Sequence, residues 1–138
     1  MRRLVAGLLI TVSVAGCALW QEDARRIQFD NTTRAYARNL EWSDFEKVVL
    51  FAVGPAQPTP PDPALYRDIK ITAYEPAGAV AGADGKTITR PAQIRYVQLS
   101  RMSERSVTVE EEWVYLEETG RWYLRNGLLP LGGAVRPQ

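Results

Sequence analysis

The apolar residues of this chain change period once, across a proline-rich break, and that change constrains the fold more than any other feature. Before the break, Phe29, Thr33, Tyr36, Ala37 and Leu40 recur at spacings of three and four, which places them on one helical face. Arg25, Arg26, Arg34 and Arg38 fall mostly elsewhere and read as a solvated side. A helix is expected from about Glu22 to Asn39. Ser43-Asp44-Phe45-Glu46 then has the pattern of a capping box, with Ser43 as N-cap and Glu46 reaching back to it. Phe45, Val48, Val49 and Ala52 continue as an apolar stripe, so a second short helix should run to about Phe51, where Gly54-Pro55 stops it. Residues 54–63 contain five prolines and allow neither helix nor ladder; they read as a stiff connector.

Beyond the connector the period is two. From Tyr66 to Glu75, Ile69, Ile71 and Ala73 share one face, and Asp68, Lys70, Thr72 and Tyr74 the other. Residues 76–92 are rich in Gly and Ala, with a turn signal at Ala83-Asp84-Gly85-Lys86, and read as the mobile end of a long hairpin. Ile94–Met102, Val107–Glu117 and Arg121–Arg125 complete a meander of four strands, with a short fifth near Ile88. The expected class is α+β, with N-terminal helices packed on a curved antiparallel sheet of four to five strands.

The extreme N-terminus follows a different logic. Arg2 and Arg3 precede an apolar run from Leu4 to Val14, too short for a spanning helix of about 20 residues. It ends in Ala15-Gly16-Cys17, and Cys17 is the only cysteine of the chain. Val14-Ala15-Gly16-Cys17 resembles the lipobox of bacterial lipoproteins. The resemblance implies cleavage between Gly16 and Cys17, acylation of Cys17, and a membrane held through its acyl chains. Residues 1–16 would then be a removed signal peptide and 17–22 a lipidated tether. A single domain would span residues 23–130, followed by an irregular tail, 131–138. Several acyl chains hold a domain stably, where one holds it only reversibly. Ala18 follows the cysteine in place of aspartate, which by the same resemblance favours the outer membrane, facing the periplasm.

Composition narrows the chemistry. The chain has 17 basic and 16 acidic residues, and without Arg2 and Arg3 the basic count is 15, so no basic surface for nucleic acid is expected. There is no histidine, which removes imidazole-based zinc sites, Ser-His-Asp and Cys-His catalysis, and imidazole acid–base chemistry. A capped Cys17 removes thiol chemistry as well. No metal site and no cofactor is expected. Asp62, Asp68 and Asp84 lack calcium-loop spacing, and the Gly-Ala stretch 77–85 lacks the strand-to-helix setting of a phosphate loop.

The element order resembles the cystatin-like fold of the nuclear-transport-factor-2-like superfamily. Tyr36 to Phe45 at the end of the long helix and the closing strand Gly120-Arg121-Trp122-Tyr123-Leu124 carry this resemblance. It implies a curved sheet wrapped around the helix, enclosing a cone-shaped cavity; fold alone assigns no function.

Within the third strand, Val107, Val109, Glu111, Trp113 and Tyr115 share a face, so Glu111 sits among apolar residues. A carboxyl group in such a place can act as a general acid or base. It can equally pair with an arginine such as Arg95 or Arg101, or sit where the sheet curves toward solvent. Tyr36, Tyr66, Tyr74, Tyr96, Trp42, Trp113 and Trp122 suit either a ligand pocket or the core and rim of a small domain.

Three functional readings follow. The first is a non-enzymatic binding or envelope-assembly module, with an envelope protein partner or a homodimer at the sheet face or the 76–92 hairpin. The second is a histidine-free cavity enzyme, an isomerase or hydrolase using Glu111 and a tyrosine. The third is a purely structural envelope protein. Glu111→Gln separates them: silent for a binder, damaging for an enzyme, and destructive of folding if Glu111 belongs to a structural ion pair.

Overall fold

The computed structural model describes residues 13–126 and 128. The leader through Val12 and the tail 131–138 lie outside the described residues. Helix α1 spans Ser13–Glu41, and a short helix α2, Phe45–Val48, runs on into a 3₁₀ turn at Val49–Ala52. The strands are β1 (Ile69–Pro76), β2 (Val80–Ala81), β3 (Thr87–Gln98), β4 (Ser103–Leu116) and β5 (Arg121–Leu124). They form one antiparallel sheet in the order β1-β3-β4-β5, with β2 also paired to β3. The sheet curls against the long helix, so the α+β class is as expected.

The helical face read from the sequence is the one that packs: Phe29, Thr33, Tyr36 and Leu40 are buried and Ala37 is half-buried. The stripe Phe45, Val48, Val49 and Ala52 is buried too. Helix α1 starts earlier than Glu22, because the supposed tether, Ala18-Leu19-Trp20-Gln21, is itself helical and made largely of good helix formers.

The capping box does not form. Ser43 has a positive φ of 56°. Its amide donates to the Leu40 carbonyl, and the Asp44 amide donates to that of Asn39, a pattern that closes α1 with Ser43 in the left-handed position. The Ser43 hydroxyl instead accepts from the Ile71 amide at 2.9 Å, on the outer edge of β1. Asp44 becomes the N-cap of α2 without a side-chain bond.

Two strand readings also change. The register of β1 on β3 shifts between Ile71 and Ala73, so Thr72 is an extra residue. That bulge turns Tyr74 to the buried side, where plain alternation had put it outside. Residues 87–92, read as part of a mobile hairpin end, are the first half of β3 and pair with β4 from Val109 to Val114. Ile88 lies in β3, and the short fifth strand is its partner β2. The turn itself is where the sequence put it: Gly85 has φ 67°, and the Lys86 amide donates to the Asp84 carboxylate.

Pro91 is tolerated inside a strand because of where it falls. Its carbonyl accepts from Ala77, so its missing N–H faces the gap between β1 and β2, where no ladder partner waits. The β3–β4 turn is tied down by Asp68, which accepts from the amide and hydroxyl of Ser100.

Gly54 marks the tightest approach of the connector to the sheet. A Cβ there would overlap the ring of Tyr123, itself buried. Gly54→Ala should therefore destabilise the domain by about 1–3 kcal/mol, as overpacking does. Gly78→Ala, with nothing near its Cβ, is the control in the same urea titration. Equal midpoints for the two variants would contradict the packing described.

Candidate functional site

Glu111 was the one catalytic candidate in the sequence, and its surroundings decide what it can do. The inner face of β4 carries Val109, Glu111 and Trp113, all buried beneath α1. The register sets Arg90 of β3 directly opposite Glu111. Arg90 Nε donates to Glu111 Oε1 at 2.8 Å, and Trp113 Nε1 donates to the same oxygen at 3.1 Å. Tyr74, delivered by the β1 bulge, donates its hydroxyl to Glu111 Oε2 at 2.6 Å and accepts from Arg90 Nη2 at 2.9 Å. The Arg90 guanidinium also lies 5.6 Å over the ring of Phe29 from α1. Three strands and the helix thus meet at one ion pair, with Glu111 only 2% exposed and Arg90 8%.

The electrostatics follow from this geometry. Burial would lower the Arg90 pKa, but the hydrogen bond to Glu111 and the nearness of Tyr74 and Glu111 outweigh it and hold the guanidinium charged. Burial, then the Glu111 charge and hydrogen bond, push the Tyr74 hydroxyl far above the ordinary tyrosine range. Tyr36 is raised in the same direction, first by burial and next by Glu111.

Both oxygens of Glu111 are engaged, and the space beside it is filled. Tyr36 packs edge-on against Trp113, Tyr74 and Phe51, with ring centroids 5.2, 5.8 and 5.4 Å apart. Phe29 meets Trp122 at 5.2 Å. The cavity left between α1 and the sheet, bounded by Tyr36, Leu40, Ile94, Val109 and Glu111, measures about 20 Å³. That is room for roughly one water molecule. The carboxylate–tyrosine pair that an enzyme reading required does exist, with both carboxylate oxygens taken up by Arg90, Trp113 and Tyr74. Its chemistry is that of a buried fastener.

The other sequence candidates sort accordingly. Glu111 does pair with an arginine, but with neither Arg95 nor Arg101: Arg95 pairs on the exposed face with Glu75, at 3.4 Å, and Arg101 is exposed in the β3–β4 turn. Of the aromatic set, Tyr36, Tyr66, Tyr74, Tyr96, Trp113 and Trp122 are buried, whereas Trp42 is 81% exposed. Tyr66 stacks on Phe45 at 4.7 Å. Glu110 and Glu112 point away from the core, and Glu112 pairs with Arg125. Cys17 is an exposed free thiol on α1. Among the described residues no group of three or more acidic or cysteine side chains could hold a metal ion.

Two residues of the fastener escaped the sequence reading. Arg90 lay in a Gly-Ala stretch taken as loop, and Tyr74 was on the wrong face until the bulge is counted. A signal for Arg90 was present: Ile88, Arg90, Ala92 and Ile94 alternate, so it too is a charge on an apolar face. It and Glu111 lie equally far from the Leu99–Met102 turn.

No protein-family model matches the chain, and neither a curated protein nor a solved structure matches it.

The raised tyrosines give a pH prediction. A group whose pKa is higher folded than unfolded contributes stability that is intact below the unfolded value, near 10, and is lost as pH rises beyond it. Tyr36 and Tyr74 should stay un-ionised until the domain unfolds, so a phenolate absorbance titration above about pH 10 should show part of its amplitude coinciding with loss of circular dichroism. Ionisation of every tyrosine while the fold persists would contradict the burial described.

Proposed function

We propose that this chain is a bacterial lipoprotein, anchored through acyl chains on Cys17 and facing the periplasm from the outer membrane. There it serves as a non-enzymatic binding or envelope-assembly module. The observation that carries the second half is the commitment of Glu111 to Arg90, Tyr74 and Trp113 beside a cavity of about 20 Å³. An interior filled in this way leaves recognition to the surface. The first half rests on the sequence Val14-Ala15-Gly16-Cys17 behind a short apolar run. The helix-on-curled-sheet arrangement is compatible with the nuclear-transport-factor-2-like domain that the element order resembles.

A binding module of this kind works by shape and apolar complementarity with a protein partner or a second copy. Its open surfaces are the outward sheet face and the hairpin tip, where Val80 is 69% exposed.

Cys17→Ser should leave an unacylated precursor that retains residues 1–16. Metabolic labelling with palmitate and mass spectrometry of the extracted protein read both outcomes. Normal processing of that variant would remove the lipoprotein reading.

A further inference from the structure

Helix α1 is firmly held only from Arg25 onward, where its carbonyl accepts from Trp122 Nε1 at 3.0 Å and its guanidinium covers the Tyr115 ring. From Gly16 to Ala24 every residue is exposed. These two turns, roughly 12 Å at 1.5 Å per residue, are exposed along their length and border an open groove toward Tyr115 and Glu117. They carry Leu19 and Trp20, 65% and 75% exposed, and Ile27 follows at 62%. At about 100° per residue, Cys17, Trp20, Ala24 and Ile27 fall within a stripe of roughly 80° on the side opposite the buried Phe29, Tyr36 and Leu40. The same stripe continues into Arg34 and Arg38, both exposed. Asp23 and Asp30 flank it on one side.

We propose that this outer face of α1 lies in the plane of the membrane surface, with Trp20 and Ile27 at headgroup depth and Arg34 and Arg38 toward the lipid phosphates. The inference rests on the lipoprotein reading, because acyl chains on Cys17 would bring the bilayer to the end of this stripe. A tryptophan near an apolar residue, followed by arginines on one helical face, has the composition of an interfacial helix. The acidic flank limits how deep it sinks. The consequence is a rigid mount: the residues expected to form a short lipidated tether are helical and fix which face of the domain is turned to the membrane and which to the periplasm. Two geometries are distinguishable. A reclining α1 keeps Ile27 at the surface, whereas an upright one lifts it about 15 Å clear of Cys17.

The test uses the mature lipoprotein in vesicles of phosphatidylethanolamine and phosphatidylglycerol. Acylated Cys17 offers no free thiol, so Ile27→Cys accepts a single environment-sensitive fluorophore, and Gln93→Cys on the outward sheet face provides the comparison. Reclining predicts a blue-shifted Ile27-site probe, quenched several-fold more by brominated lipid than the probe at Gln93. Equal emission and equal quenching at the two sites, in protein whose mass shows acylation, would overturn the membrane seat and leave the lipoprotein reading intact. A mass without acyl chains would overturn both.

Discussion

The Arg90–Glu111 pair is the point at which the separate elements of this domain become one structure. Two charges taken out of water are costly unless each is paired and its remaining hydrogen-bonding capacity is met. Here Trp113 and Tyr74 meet it for Glu111, and Tyr74 and the face of Phe29 meet it for Arg90. Satisfying the pair requires β1, β3, β4 and α1 to be in one register and at one distance. The bulge at Thr72 is needed to aim Tyr74, and the gap between β1 and β2 is needed to accommodate Pro91 one residue from Arg90. A slip of one residue in β3 or β4 would expel one charge and bury the other.

Much of this was legible in the chain. A strong period of three and four on an uninterrupted helix names its buried face, and Phe29, Tyr36 and Leu40 obeyed it. Glu111 stood out because a carboxylate broke an otherwise apolar alternation. What could not be read was relational. Arg90 became meaningful only once β3 was known to begin at Thr87, and small residues around it had suggested a loop. Tyr74 required a bulge, which adds one residue with no distinctive side chain. Ser43 had the composition of an N-cap, yet it ends the preceding helix and binds Ile71, since the same hydroxyl serves either use and only the chain path chooses.

The site and the surface have exchanged roles relative to a cavity protein of similar outline. Tyrosines and a carboxylate inside a curled sheet invite a catalytic interpretation, but here they consume one another's hydrogen bonds and the rings close the space. Apolar side chains that the core does not use are exposed at several places, among them Leu19, Trp20 and Ile27 near Cys17, Trp42 at the end of α1, Val80 in β2 and Met102 in the β3–β4 turn. On the reading proposed above, function follows from how the domain is mounted and what its outward faces meet, and the buried charges keep the sheet and helix in one arrangement.

The most direct test of the fastener is a double-mutant cycle across Arg90 and Glu111, using Arg90→Met, Glu111→Leu and the double variant in urea unfolding. Each single change strands a buried charge and should cost about 3–5 kcal/mol, while the double, which strands none, should recover most of that loss. Single variants near wild-type stability, or losses that simply add in the double, would show that the pair does not hold the fold together.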